Sequence, residues 1–275
     1  MVFESRDAVI EAPNWSPDGA WLVYNAAGAL YRVAADCGAH PERIETGRLA
    51  DHNNDHLISR DGGTIYSSSE GDGHLYSIPF GGGERRRISP EKPGPFGYFL
   101  QGISPDGRTL YYTGGERRGG RRFVSNLFAL VGGAGIRLSD FDDDSIGCEV
   151  SADGDWLYFN SDRDAARGHS QLYRMRADGS GIQRLTGDER VNWFPKPSPR
   201  GDAVVFLSFP PGTRGHEANV PVVLRAMGPD GSNQRDVVAL FGGQGTMNVS
   251  SWSLDGTHFA YVDYPLGPDS VARTK

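Results

Sequence analysis

The chain has 275 residues, 38 of them glycine and 17 proline, and a formal net charge of −7. That length can bury a sizeable core and suits a single β domain of many short strands. The acidic balance excludes duplex nucleic acid as the main partner, because such binding needs a basic face to displace counterions; no window is apolar enough to span a bilayer.

The first residues, Met1-Val2-Phe3-Glu4-Ser5-Arg6-Asp7, lack a basic segment followed by an apolar run, so the expectation is a cytoplasmic protein, with a periplasmic one left open if the native chain starts further upstream. Cys37 and Cys148 have neither the spacing nor the context of a zinc site or a disulfide framework and read as free thiols.

Along the chain one tight-turn motif recurs: Ser16-Pro17-Asp18-Gly19, Ser59-Arg60-Asp61-Gly62, Ser104-Pro105-Asp106-Gly107, Ser151-Ala152-Asp153-Gly154, Ser198-Pro199-Arg200-Gly201 and Ser253-Leu254-Asp255-Gly256. Serine to serine, the steps are 43, 45, 47, 47 and 55 residues, the length of a four-stranded propeller blade. Proline presets φ at the second turn position, aspartate caps the bend and glycine accepts positive φ. Apolar strands follow each turn, at Trp21–Tyr24, Thr64–Tyr66, Leu110–Tyr112, Trp156–Phe159, Val204–Leu207 and Phe259–Val262. Third strands follow in five copies, at Leu30–Val33, Leu75–Ile78, Leu127–Leu130, Leu172–Met175 and Val222–Arg225, and glycine turns lead on to short fourth strands. The pattern predicts an all-β, six-bladed β-propeller with four-stranded antiparallel blades, one domain over residues 1–275, and a monomer, since a closed ring has no edge to cover. The sixth copy breaks off near Tyr264. Residues Val2 to Arg6 are therefore expected to pair onto the last blade and close the ring, its third strand coming either from the tail around Ser270-Val271-Ala272-Arg273 or from an upstream segment.

Trp15-Ser16-Pro17-Asp18-Gly19, followed by an apolar strand and a Leu-Tyr third strand, resembles the WD40-like repeat of TolB-type propellers over nearly the whole chain. The resemblance implies the architecture more than a function, since such propellers serve as scaffolds, transport accessories, enzymes and peptidase gates. TolB itself carries an extra N-terminal domain and works in the Tol–Pal envelope system; as the sequence shows neither that domain nor an export signal, the expectation is a role outside that system. Prolyl oligopeptidase-type enzymes have similar blades beside a hydrolase domain, but no Gly-x-Ser-x-Gly elbow occurs. Oligogalacturonate lyase also resembles this repeat and holds a metal in its channel with histidines and a glutamine.

In such a ring the loops leading into the first strands, and those joining second to third strands, share one end. Five of the seven histidines, His52, His56, His74, His169 and His216, map there. In Asp51-His52-Asn53-Asn54-Asp55-His56, two imidazoles beside amide and carboxylate groups suit metal binding or proton transfer, or the loop is an Asx-rich turn that satisfies its own backbone. His216 and Asn219 lie in a long loop that either folds over the mouth or faces solvent. Glu149 and Lys196 hold equal registers two residues before their turn serines and are expected to pair near the axis, as a proton-transfer couple or as a structural ion pair. Asn192 and Trp193 suit a sugar ring, or else the tryptophan packs between blades. Tyr98, Gln101 and Asn248 complete the expected ligand-binding set. Asp142-Asp143-Asp144 reads as a solvated acidic turn or a hard-cation site, and the arginines from Arg117 to Arg122 as a mobile surface loop or an anion site.

Two functions follow. One is a TolB-like interaction module that recognises a small polar or carbohydrate ligand, or a protein segment, at one channel end. The other is a metal-assisted carbohydrate-active enzyme acting on an oligosaccharide or acidic sugar, with a divalent ion held by His52, His56 and His216. The enzyme requires at least three of these side chains to converge; the module requires a preformed depression lined by Tyr98, Trp193 and Asn248.

Overall fold

The computed structural model describes residues 1–47, 51–118 and 122–264. Five copies of the repeat fold as expected into four-stranded antiparallel sheets with strands in sequence order. Blade 1 is β1 (Glu11–Trp15), β2 (Trp21–Ala26), β3 (Ala29–Ala34) and β4 (Glu42–Arg43). Blade 2 is β5 (His52–Ile58), β6 (Thr64–Ser69), β7 (Leu75–Pro79) and β8 (Arg86–Arg87), and blade 3 is β9 (Phe96–Ile103), β10 (Thr109–Arg118), β11 (Arg122–Val131) and β12 (Ala134–Arg137). Blade 4 is β13 (Ser145–Val150), β14 (Trp156–Ser161), β15 (Gln171–Arg176) and β16 (Gln183–Arg184), and blade 5 is β17 (Val191–Pro197), β18 (Val204–Phe209), β19 (Ala218–Met227) and β20 (Arg235–Gly243). No helix among the described residues is long and apolar enough to cross a membrane.

The blade number is a correction: the described residues form five four-stranded blades, not six. Among the described residues the sixth copy keeps its turn and one isolated antiparallel bridge, Trp252 to Phe259. Residues 2–6 form no strand either. Val2 and Phe3 instead pack with Leu22, Tyr24 and Ala260. The tail at Ser270–Arg273, and the centre of the Arg117–Arg122 stretch, lie outside the described residues.

The ring nevertheless closes. Inner strands neighbour one another in the order β1, β5, β9, β13, β17. The sixth segment bridges the gap: the Trp252 indole N–H donates to the Lys196 carbonyl at 3.0 Å, the Ala12 amide donates to the Gly245 carbonyl at 2.7 Å, and the Asn14 side chain donates to the Ser250 carbonyl. Apolar layers fill each junction between neighbours. Val23 and Leu30 of blade 1 meet Ile58, Ile65 and Ile78 of blade 2; Tyr111 and Leu127 meet Leu157 and Phe159; Leu224 and Phe209 meet Met247, Trp252 and Phe259. Because each sheet is covered on both faces, its second and third strands are rich in apolar and aromatic residues.

The repeated serine has a structural role. The Ser104 hydroxyl donates to Asp106 at 2.6 Å and accepts the Thr109 amide at 2.9 Å, and Ser59 and Ser253 repeat the pattern. Glycine follows at positive φ, 72° at Gly107. Ser104→Ala leaves the buried end of that turn without its hydroxyl and is expected to cost about 1–2 kcal/mol, read as a melting temperature lower by about 2–4 °C; an unchanged melt would remove this role.

Candidate functional site

Every inner strand is the axis-facing edge of its sheet, so it has no partner on that side and tolerates Pro13, Pro195 and Pro197. In β1, β13 and β17 the residue four before the turn serine has positive φ: Ala12 at 55°, Gly147 at 78° and Phe194 at 54°. The pairing register slips at the same places, and in β5 between His52 and His56. A bulge of this kind bends a strand and re-aims the side chains beyond it.

Those beyond it form a buried cluster on the axis. Asp55 of β5 accepts from the Gln101 amide of β9 at 3.0 Å. Lys196 of β17 lies 3.6 Å from Glu149 of β13, with side-chain exposures of 0% and 4%, and its charge also reaches Asp55. A Cβ at Gly102 would sit 2.7 Å from the Cys148 carbonyl and 3.5 Å from Glu149 Oε1, so this glycine makes room for the carboxylate. Burial raises the pKa of Asp55 to about 7, although Lys196 and the Gln101 and Asn53 hydrogen bonds pull it down. Burial likewise raises Glu149 and lowers Lys196, each held back by the other's charge. Glu149 Oε2, Gln101 Oε1 and Lys196 Nζ have no hydrogen-bond partner.

The other expected residues lie elsewhere. His52 to His56 is strand, buried along its whole length, Asn54 included. His52 Nδ1 is 2.7 Å from the Ser67 hydroxyl and His56 Nε2 is 3.3 Å from the Val23 carbonyl. Desolvation lowers the pKa of both to about 4, so they are neutral. His216 packs edge-on against Trp193, ring centroids 4.5 Å apart, and against Phe194. The expected metal triad is therefore not assembled, and no group of three or more His, Cys, Asp or Glu side chains among the described residues is placed to hold an ion. Asn192 bonds Gln171, Asp188 and Ser208 within blades 4 and 5. Asn219 is exposed at left-handed φ. Tyr98 stacks among Phe96, His74 and Tyr112 and donates to the Pro90 carbonyl. Asn248 accepts the Gly245 amide at 2.8 Å. Tyr98, Trp193 and Asn248 are thus packing and capping residues, buried rather than lining a depression. Cys37 and Cys148 are free.

The depression opens at the opposite end, among the turns. All six contribute to its rim, through Pro17, Arg60, Pro105, Ala152, Pro199 and Leu254; Trp15 and Trp252 form walls, and Asn14, Leu57 and Glu149 lie deeper. This open depression offers about 260 Å³, just below the roughly 300–1,000 Å³ of pockets for drug-sized ligands, and is large enough for a side chain or two. Arg60, in the slot that proline fills in three other turns, reaches to the next turn and donates to the Ile103 and Ser104 carbonyls at 2.6 and 3.2 Å. On the same turns, outside the lining itself, Asp18, Asp61, Asp106, Asp153 and Asp255 are held below the usual carboxylate range, chiefly by hydrogen bonds from their turn serines, Asp255 down to about 2. They are anionic at neutral pH. The mouth was missed at the sequence level because its turns were read as connections alone; six equal turns around one axis, flanked by proline and tryptophan, were the available signal.

No protein-family model matches the chain. It is 39% identical over 262 residues to an uncharacterized protein of Agrobacterium fabrum, covering 93% of this chain and 85% of that one. Its structure is similar to that of a putative TolB from Agrobacterium tumefaciens, with a TM-score of 0.85 and 38% identity over 94% of this chain and 91% of that one. TolB from Acinetobacter baumannii shares the fold at TM-score 0.66 and 19% identity, over 88% of this chain and 57% of that one. An oligogalacturonate lyase in complex with manganese shares the fold at TM-score 0.63 and 12% identity, over 91% of this chain and 71% of that one.

Proposed function

Since the chain belongs to the TolB-like β-propeller family, we propose that it is an interaction module whose turn-end mouth receives a short segment of a partner protein. The observation that carries this reading is the cavity shared by all six turns, with proline and tryptophan at its rim and Glu149 deeper inside. Rigid turns around a preformed opening whose lining mixes apolar walls with polar groups, Asn14, Arg60 and Glu149 among them, are the ordinary makings of a binding site. The cavity is large enough for a side chain or two, and the metal-assisted alternative has no gathered ligand set to rest on.

Ala152 is exposed on the rim, and a bulky residue there obstructs the opening. Proteins from the source cells retained by the immobilised native chain, and by an Ala166→Trp control on the other end, are expected to be lost from Ala152→Trp, as measured by quantitative mass spectrometry. If Ala152→Trp retains the same proteins, the mouth is not the binding end.

A further inference from the structure

We propose that the segment received by the mouth presents a basic side chain, steered by the ring of turn aspartates and taken up by Glu149; this rests on the mouth being the binding end. Two independent observations point to a cation. From each serine to the residue after its glycine, the six turns together carry seven aspartates and three arginines. The five aspartates at the third turn position are locked in the charged form by their serine hydroxyls and turn amides. Arg200 and Asp202 pair with each other at 3.1 Å and Asp155 pairs with Arg176 at 3.7 Å, which leaves five aspartates against Arg108 and Arg60, the latter spending two of its donors on the carbonyls of the neighbouring turn. An excess of aspartate on the turns that carry the opening favours the approach of cations and speeds their arrival, with a strong dependence on salt.

The second observation lies inside. Glu149 is 3% exposed and lines the cavity, and its Oε2 is held by a single long ion pair to the Lys196 ammonium at 3.6 Å, with no shorter hydrogen bond. A buried carboxylate held by one long ion pair has acceptor capacity to spare, and a charged donor arriving from the mouth uses it. The proline and tryptophan walls suit the methylene stem of lysine or arginine, whose charged tip reaches the carboxylate. An acidic tip would meet both the aspartate ring and Glu149 and is rejected twice over.

N-acetyl-lysine methylamide, with its norleucine and glutamate counterparts as matched probes, tests this by calorimetry on the full chain at low salt. The lysine probe is expected to bind at least five times more tightly than either counterpart and to weaken several-fold in high salt. Glu149→Gln is expected to bring it to the norleucine level. Glu149→Gln/Lys196→Met, which leaves no unpaired lysine behind, is expected to do the same if the single variant folds poorly. Equal binding of the three probes, tighter binding of the glutamate probe, or unchanged lysine binding in both variants overturns the proposal. Should Ala152→Trp still release the retained proteins in that event, the mouth keeps its role and only the basic ligand is removed; should it release none, both fall.

Discussion

Glu149→Leu is expected to lower stability by about 3–5 kcal/mol, because it leaves the Lys196 ammonium buried without its closest partner, a fall in melting temperature of roughly 10 °C for a chain of this size. Lys196→Met is expected to cost less. A stranded carboxyl must only take up a proton some three units above its usual pKa to become neutral at pH 7, whereas a stranded lysine must lose one more than three units below its own, at about 1.4 kcal/mol per unit. Acid separates the two: between pH 7 and pH 5 the Lys196→Met deficit shrinks as Glu149 protonates more easily, and the Glu149→Leu deficit does not. Glu149→Leu/Lys196→Met, in which neither member of the pair is left without the other and Asp55, losing the pull of Lys196, is free to hold its proton, is expected to recover most of the loss. Thermal melts of the three variants at both pH values decide the matter. Additive losses in the double variant would mean that the two side chains do not act as a pair on the axis.

Asp55→Asn is expected to stabilise the protein at pH 8 and not at pH 5. The folded-state pKa of Asp55 is raised from 3.8 to about 7, so the fold holds a proton that the unfolded chain releases; its contribution is fully present below pH 3.8 and is lost as pH rises through about 7. Above that, the chain keeps a second carboxylate in a desolvated cluster. Asparagine removes this penalty while retaining an oxygen for Gln101, and the expected gain at pH 8 is on the order of 2 kcal/mol after allowing for a less favourable contact with Asn53. His52 and His56 act in the opposite sense. With pKa values lowered to about 4, they stay neutral in the fold and favour unfolding as pH falls from 6.5 through 4. Both proteins share that background, so the difference between them across a series of urea melts isolates Asp55. A difference that does not change with pH would show that Asp55 is ionised throughout.

The blades were legible because their turns are local chemistry: serine, aspartate and glycine at fixed offsets bond to one another and to the next strand whatever lies around them. The sixth position was not, since the turn at Ser253 is complete while the ladder that should follow has only the Trp252–Phe259 bridge, and a turn motif carries no information about its outer strands. At the site, equal register brought Glu149 and Lys196 to one point, since inner strands repeat around the axis. Asp55 and Gln101 join them only because the bulges re-aim their strands, which no composition reveals. His52 misled because a cluster of polar residues before a strand reads as a loop, whereas here it is the strand itself, His52 bonded within its own blade and His56 and Asp55 to the neighbouring ones. His216 misled differently: loop length says nothing of the aromatic rings it meets.

The segment that seals the ring is a narrow latch, tied to β1 by Ala12 and Asn14 and to β17 by the Trp252 indole. If it lets go, two neighbouring sheets lose their cover at once and each offers a free margin shaped for that same piece of chain. A second molecule in the same state can supply it. Exchange of this segment between two opened rings is therefore the association route that the architecture itself provides, at high concentration or under mild denaturation.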